Sequence, residues 1–266
     1  MRAPCVRCPT ILLYCAPRAR KHHTSSKRAQ PRRGPQRRVQ TRAPKAGMLS
    51  DAAAVRTAAI VLASSSPRRV NVFNDILQLQ AEVIPSTFPE DLDKAKFSPS
   101  AYVEENAKQK AMEVHQRLAA EGNERSLIVG ADTVVVLDGR ILEKPRSTQM
   151  AKEMLSCLSG SSHEVMSGVA LVYAPVDGSG GPPLVHTFVE TTRVQFGTLS
   201  ADIIDAYITT GEPMDKAGGY GIQGLGGSFV SGIEGCYWNV VGFPMHRFCV
   251  ECDCARLRAW CDRKGL

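Results

Sequence analysis

From residue 58 onward, short apolar runs alternate with amphipathic stretches. Apolar runs rich in β-branched residues predict strands over residues 58–63, 81–84, 127–131, 165–173 and 185–196. Apolar positions spaced three and four apart predict helices over residues 67–78, 100–120, 148–158 and 201–209, with a terminal helix around residues 249–252. Because strands interleave with helices, the pattern predicts an α/β layered fold with a mostly parallel or mixed sheet.

The first 47 residues do not follow this pattern. Residues 1–50 contain no Asp or Glu and hold 13 of the 33 Lys+Arg residues, which leaves 20 basic against 26 acidic residues in the remainder. Six of the 16 prolines fall in residues 1–47, and the apolar patch at residues 11–14 is short. Such a segment buries too little surface to offset its ordering entropy. We therefore predict a disordered basic leader over 1–47 and a folded domain over 48–266.

The composition of the leader is typical of an organellar transit peptide, which predicts a plastid or a mitochondrion. If translation starts at Met48, we expect a cytoplasmic protein instead, and a nucleic-acid-binding arm is a more distant alternative. The remainder of the chain is mildly acidic, so we expect no stable nucleic-acid partner. No run of about 18 apolar residues occurs, so no membrane span is predicted.

The nine cysteines do not form a disulfide framework. Three lie in the leader, four crowd the end of the chain, and Cys157 and Cys236 are isolated, which fits a reducing compartment. Cys249 and Cys252 have CxxC spacing, but no second pair follows at zinc-finger distance. We favour a structural role for this pair over a zinc or redox site.

The first candidate site is the turn Ala-Ser-Ser-Ser-Pro-Arg-Arg at residues 63–69. Ser66 suits a helix N-cap and Pro67 the first helical position, so free backbone amides would face a serine-rich turn. With Ser64, Arg68 and Arg69 beside it, this turn predicts an anion site. A well-capped helix with surface arginines is the alternative.

Lys110 is the second candidate. At 100° per residue it falls only about 20° from Val103, on the apolar side of its predicted helix. A lysine aimed inward needs a partner or a substrate anion. The alternative is a side chain that extends to solvent from the edge of the apolar stripe.

Asp132 directly follows the apolar run 127–131, where open α/β sheets place their ligands, and a buried carboxylate must be paired or bind metal. Asp138 and Gly139 predict a two-residue hairpin. If Leu137 pairs with Arg140, Lys144 lies opposite Thr133. The residues that this hairpin would bring together are Asp132, Thr133, Glu143 and Lys144. A purely structural Asp132–Lys144 pair is the alternative.

Two further features carry weaker signals. Six glycines among residues 218–227 permit close backbone approach to a ligand, and Gln223 offers an amide suited to a base edge. The segment matches neither a P-loop nor a dinucleotide-binding fingerprint. His163 is a possible acid or base, but no nucleophile motif accompanies it, so we favour a hydrogen-bonded structural histidine.

Taken together, these motifs resemble the Maf family of nucleoside triphosphate pyrophosphatases. The resemblance covers nearly all of residues 58–250, with the family's motifs in order at residues 63–69, 130–133, 143–145, 158–163, 215–224 and 240–244. It implies a two-lobed α/β fold, related to the inosine triphosphate pyrophosphatase architecture, with a central mixed sheet and a deep cleft. It also implies cleavage of a nucleoside triphosphate to monophosphate and pyrophosphate with Mg²⁺ or Mn²⁺, and a possible homodimer.

The resemblance also implies roles for individual positions of this chain. Those that match the family's catalytic residues are Glu90, Lys110, Asp132 and Lys144, with Asp132 as proton acceptor and Glu90 and Asp132 as metal ligands. Phosphate contacts are implied for Ser64, Arg68 and Arg69. Arg68, Thr133 and Gln223 resemble the specificity residues of the dTTP/UTP pyrophosphatase subgroup. A purine or modified-purine triphosphatase of the same fold, and a non-enzymatic cell-division or nucleic-acid-binding regulator, stay open as alternatives.

Overall fold

The computed structural model describes residues 59–123, 125, 127–173 and 181–252. The Gly- and Pro-rich residues 177–183 predict a surface loop. Most of this loop, the predicted leader and two of the C-terminal cysteines lie outside the described residues. The strands are β1 (Ile60–Leu62), β2 (Glu82–Val83), β3 (Leu127–Leu137), β4 (Arg140–Leu142), β5 (Ser162–Tyr173), β6 (Leu184–Phe196) and β7 (Val230–Glu234). The helices are α1 (Pro67–Val70), α2 (Pro99–Ala120), α3 (Thr148–Leu158), α4 (Ala201–Thr209), α5 (Tyr237–Val241) and α6 (Met245–Glu251).

The seven strands of the described residues form one mixed sheet in the order β2-β1-β3-β5-β6-β7, with β4 paired to β3. β1 runs parallel to both β2 and β3, whereas the remaining pairs are antiparallel. The predicted α/β class with a mixed sheet is therefore confirmed. None of the helices in the described ranges is long and apolar enough to cross a bilayer.

The core lies on both faces of this sheet. On one face, α2 packs against β1, β3 and β5 through small apolar residues such as Ala107 and Ala111. On the other, Phe73 contacts Phe243 and Phe248 with ring centroids 4.8 and 5.2 Å apart, which joins the first helical segment to the C-terminal one. A third cluster, around Phe196 and Phe229, packs α3 and α4 against β5 and β6.

The central strand differs from its prediction. The strand that was predicted to end at Ala131 continues through Asp132 to Leu137, because β-branched residues follow and β5 pairs with it without interruption from Leu127 to Val136. The predicted hairpin is present, with Leu137 opposite Arg140. Its ladder ends at Leu142, however, so the predicted pairing of Lys144 with Thr133 is wrong.

The first predicted helix also differs from expectation. It is α-helical only over Pro67–Val70 and continues as a π-helical segment over Asn71–Ile76. Ser66 occupies the N-cap position as predicted, but its side chain makes no capping hydrogen bond. The terminal helix, predicted around residues 249–252, spans Met245–Glu251, and the remaining predicted elements lie within three residues of their observed ends.

Two glycines allow α2 to lie directly against the sheet. A Cβ atom at Gly130 of β3 would lie 2.1 Å from the carbonyl oxygen of Ala107, and one at Gly168 of β5 would lie 2.2 Å from that of Val103. Both distances are far shorter than a van der Waals contact. The helix backbone therefore occupies the space that any other side chain would need, and it is held close to the strand segment that contains Asp132.

We expect Gly168→Ala to destabilise the fold by about 3 kcal/mol or more, because the methyl group displaces the α2 backbone rather than a flexible side chain. Gly232→Ala in β7 is the matched control, since its Cβ would meet nothing closer than 3.9 Å. Urea unfolding of both variants measures the difference. Equal stability of the two variants would contradict close packing as the role of Gly168.

Candidate active site

A cleft of about 630 Å³ opens where β1 ends and β3 extends beyond it. β1 stops at Leu62, opposite Val129, and the backbone amide of Ala63 makes a last bond to the Val129 carbonyl at 2.8 Å. The chain then leaves the sheet into the serine-rich turn, so the next residues of β3 form the floor of the cleft. The sequence-predicted site residues that line it are Ser64, Arg68, Arg69, Glu90, Lys110, Asp132, Thr133, Lys144 and Gln223. Its volume is within the range of small-ligand sites.

Lys110 joins two carboxylates at the floor of the cleft. Its ammonium nitrogen lies 2.9 Å from Oδ1 of Asp132 and 2.8 Å from Oε2 of Glu90. Lys110 and Asp132 are 7% and 8% exposed, so the pair is largely removed from water. The inward orientation predicted for Lys110 is confirmed. The alternative of a structural Asp132–Lys144 pair is wrong, because Lys110 occupies that role from α2.

Asn106 is a site residue that the sequence analysis missed. It is 1% exposed, and its side-chain amide donates to Oδ2 of Asp132 at 3.3 Å. Its own carbonyl oxygen is buried without a hydrogen-bond partner among the described residues, which lowers the stability of the fold and indicates a role other than stability. Asn106 precedes Lys110 by one helical turn, so a polar residue on the apolar side of α2 was the available signal.

Glu90 reaches the cleft from the loop before α2. Its backbone has a φ of 53°, a left-handed conformation that non-glycine residues seldom adopt. The loop is held by Glu113 of α2, whose carboxylate accepts from the hydroxyl of Ser86 at 2.8 Å and the amide of Thr87 at 2.9 Å. Partial burial acts to raise the pKa of Glu113, but hydrogen bonds from Arg117, Thr87 and Ser86 outweigh it and lower the pKa to about 2.

Arg69 links three separate segments of the chain. Its guanidinium donates to the hydroxyl of Ser64 at 3.1 Å, the hydroxyl of Thr133 at 3.0 Å and the carbonyl of Gly242 at 3.0 Å. Burial lowers the pKa of Arg69, and the neighbouring carboxylates of Asp132 and Glu90 act against that shift. Three of its five N–H groups are therefore used to hold the floor together, which leaves two for a ligand.

Three cationic side chains stand around the rim. Arg68 pairs with the exposed carboxylate of Asp215 at 3.1 Å, and Lys216 donates to the backbone carbonyl of Glu212 at 2.8 Å. Lys144 is exposed and has no ion-pair or hydrogen-bond partner within the described part of the chain. Of the predicted site residues that carry a positive charge, Lys144 is thus the most available to an incoming anion.

The other predicted residues occupy distinct positions. Thr133 is held at the floor, with its hydroxyl 2.8 Å from that of Ser167. Gln223 is exposed at the tip of the glycine-rich segment and faces the cleft. Glu143 also lines the cleft, where it accepts from the Tyr102 hydroxyl at 2.8 Å and pairs with Lys94 at 2.6 Å.

The donor set suits a metal ion only in part. Among the described residues, no group of three or more His, Cys, Asp or Glu side chains is arranged to hold one. Glu90 and Asp132 are nevertheless brought to a shared cation, the ammonium of Lys110. Mg²⁺ is commonly bound by one or two carboxylates together with substrate phosphates. The two carboxylates fit an ion that arrives with a phosphate-bearing ligand.

His163 is structural, as favoured above. It is 2% exposed, does not line the cleft, and its Nε2 lies 2.8 Å from the Tyr220 hydroxyl. Its ring packs edge-on against Phe196 and Tyr220. Burial lowers its pKa to about 4, so it is neutral at physiological pH.

The fold and the cleft together define an α/β protein with a candidate ligand site in which a buried carboxylate lies among cationic groups. The family model described as "Maf-like protein" matches residues 59–253, and the chain belongs to this family.

Curated relatives extend the comparison. The chain is 48% identical over 194 residues to the human "Probable bifunctional dTTP/UTP pyrophosphatase/methyltransferase protein", covering 72% of this chain but only 31% of the human protein. It is 46% identical over 188 residues to the "dTTP/UTP pyrophosphatase" of Clostridium perfringens, covering 71% of this chain and 92% of that protein. The protein of the same name from Vibrio cholerae is 44% identical over 187 residues, again with 92% of its length covered.

We expect His163→Gln to flatten the pH dependence of stability between about pH 6.5 and pH 4. Because the folded-state pKa is depressed, the unfolded chain binds a proton first as the pH falls. The stability from neutral His163 is therefore complete above about pH 6.5 and is lost towards pH 4, by up to about 3 kcal/mol. Urea unfolding at a series of pH values measures this, with His246→Gln, an exposed histidine, as control. Parallel pH curves for wild type and His163→Gln would contradict it.

Proposed function

We propose that this protein is a nucleoside triphosphate pyrophosphatase that hydrolyses dTTP and UTP to the monophosphate and pyrophosphate. The observation that carries the proposal is the buried Asp132 between Lys110 and Asn106 at the floor of a cation-rimmed cleft. The names of the curated relatives support the same substrates. Such an activity removes surplus or unsuitable pyrimidine triphosphates from the nucleotide pool.

In this proposal Asp132 accepts a proton from the attacking water. Lys110 and Asn106 hold its two oxygens in fixed positions, and each carboxylate oxygen has a second lone pair available for the water. The water oxygen forms a bond to the α-phosphorus, the bond from that phosphorus to the bridging oxygen breaks, and pyrophosphate leaves. A carboxylate positioned in this way is a suitable general base.

The cationic groups stabilise the charge that develops on the phosphate oxygens. Lys144 and Arg69 line the cleft that a triphosphate would occupy, and Ser64 lies at the start of the same turn as Arg69. Fixed cations in a partly enclosed site stabilise a developing anion more effectively than water does. Glu90 and Asp132 would hold a Mg²⁺ or Mn²⁺ ion, which would neutralise phosphate charge and polarise a P–O bond.

Specificity for pyrimidine bases is assigned in this proposal to Arg68, Thr133 and Gln223. Arg68 and Gln223 approach the cleft from α1 and from the glycine-rich segment, and both are exposed enough to meet a nucleotide. Thr133 acts from the floor, where its hydroxyl is fixed by Arg69 and Ser167.

We expect the full-length protein with Mg²⁺ or Mn²⁺ to release pyrophosphate from dTTP and UTP in preference to CTP, GTP, ITP and 7-methyl-GTP. Asp132→Asn should fold normally, because its amide oxygen can still accept from Lys110, yet turn over at least about 100-fold more slowly. Asp138→Asn in the hairpin turn is the matched control and should keep full activity. A folded wild type without turnover, or an active Asp132→Asn variant, would contradict the proposal, and preference for a purine triphosphate would contradict its specificity.

Arg68→Trp should lower kcat/KM for dTTP and UTP by about tenfold or more, because the substitution removes a cation from the cleft and replaces it with a bulky ring. The same nucleotide panel measures the change. Arg140→Trp removes an equal charge from an exposed strand position outside the cleft and serves as control. If Arg68→Trp leaves the relative kcat/KM values across nucleotides unchanged, Arg68 has no role in specificity.

A further inference from the structure

Among the residues that the structure describes, the Gln223 side chain has no partner that would orient it. It is exposed at the mouth of the cleft, and within the described ranges its amide makes no hydrogen bond. Uracil and thymine carry an acceptor at O4 where cytosine carries an amino donor. A glutamine amide contains both a donor and an acceptor, so its position relative to the base decides which edge it can meet. That position depends on the backbone of residues 221–226.

This backbone is held on both sides of Gln223 by two residues from a different segment. Before it, the amide of Gly221 donates to the hydroxyl of Tyr207 at 3.3 Å. After it, the amides of Leu225 and Gly226 donate to the two carboxylate oxygens of Glu212 at 2.9 and 3.1 Å. The Tyr207 hydroxyl in turn donates to Glu212 at 2.9 Å, which completes a connected network.

The glycines of this segment fit that network closely. A Cβ at Gly224 would lie 2.4 and 2.5 Å from the carboxylate oxygens of Glu212, and one at Gly226 would lie 2.6 Å from the Tyr207 hydroxyl. At these two positions the close approach that the glycines permit is therefore to the protein's own Glu212 and Tyr207. The glycines around Gln223 are therefore explained by the close packing of the loop backbone against Glu212 and Tyr207, which fixes the position of the loop.

The charge of Glu212 suits this role. Partial burial acts to raise its pKa, but the hydrogen bonds from Gly226, Leu225 and Tyr207 outweigh it, so the pKa is lowered and the carboxylate stays ionised. An ionised carboxylate accepts stronger hydrogen bonds from backbone amides than a neutral group does. Neither Glu212 nor Tyr207 lines the cleft, so neither would touch a nucleotide.

We propose that Glu212 and Tyr207 form a positioning pair that fixes residues 221–226 and thereby places the Gln223 amide for selection of the pyrimidine base. The inference rests on the proposed function and deepens it. Glu212 acts through the loop backbone and Tyr207 acts through Gly221 and Glu212, so both are positioning residues rather than catalytic ones.

A double-mutant cycle that combines changes at Glu212 and Gln223 tests the proposal. Glu212→Gln keeps the shape of the side chain and removes its charge, and we expect it to lower the ratio of kcat/KM for UTP over CTP about tenfold through a higher KM for UTP, with kcat retained. Tyr207→Phe should shift the ratio in the same direction. In a Gln223→Ala background, Glu212→Gln should have no further effect on the ratio. Glu164→Gln, at an exposed strand position, is the control.

A merely structural role predicts a different result. Loss of folded protein lowers kcat for every nucleotide equally and leaves both KM and the UTP/CTP ratio unchanged, and that outcome would overturn the proposal. An equal effect of Glu212→Gln on the ratio with and without Gln223 would also overturn it, because Glu212 would then act by another route.

Hydrogen exchange provides a readout that needs no nucleotide. We expect the amides of Leu225 and Gly226 to exchange at least tenfold faster in Glu212→Gln than in wild type, with exchange in β3 unchanged. Unchanged protection at both amides would overturn the positioning role whatever the activity. If protection is lost as expected but the wild type hydrolyses no triphosphate, the proposed function has failed, and with it the role in base selection.

Discussion

The close contact between helix α2 and the sheet at Gly130 and Gly168 is the constraint on which the site depends. With any larger residue at either position, the helix would have to move away from β3 and β5. Asn106 and Lys110 extend from this helix to Asp132, and the same helix holds the Glu90 loop through Glu113. A contact between two backbones thus sets the distance between charged groups that are far apart in sequence.

Much of the architecture could be predicted from local pattern. The helices over Thr148–Leu158 and Ala201–Thr209 were predicted to the residue, because amphipathic spacing marks their extent and Ser147 and Ser200 cap their N-termini. The end of β3 was not predicted correctly, because pairing with β5 extends the strand beyond the polar Asp132. Local pattern contains no information on how long a distant partner strand continues.

The site shows a similar division. The predicted residues do line one cleft, because strand ends and helix faces bring them to the same edge of the sheet. Their pairing could not be deduced. Lys110, rather than Lys144, meets Asp132, and Glu90 joins them from a loop whose path depends on Glu113 and a left-handed backbone. Asn106 was overlooked because its signal, a polar residue on the apolar side of a helix, does not show which distant group the side chain contacts.

The three bonds of Arg69 have a consequence for the order of events during synthesis. Ser64 and Thr133 belong to the first half of the folded region, but the carbonyl of Gly242 belongs to a segment near its C-terminal end. A nascent chain that has left the ribosome only as far as β6 contains most of the chemical groups of the cleft, yet Arg69 lacks one of its acceptors. Completion of the cleft floor therefore requires the segment that contains Gly242 to have left the ribosome, so a chain translated only as far as β6 does not present the finished site.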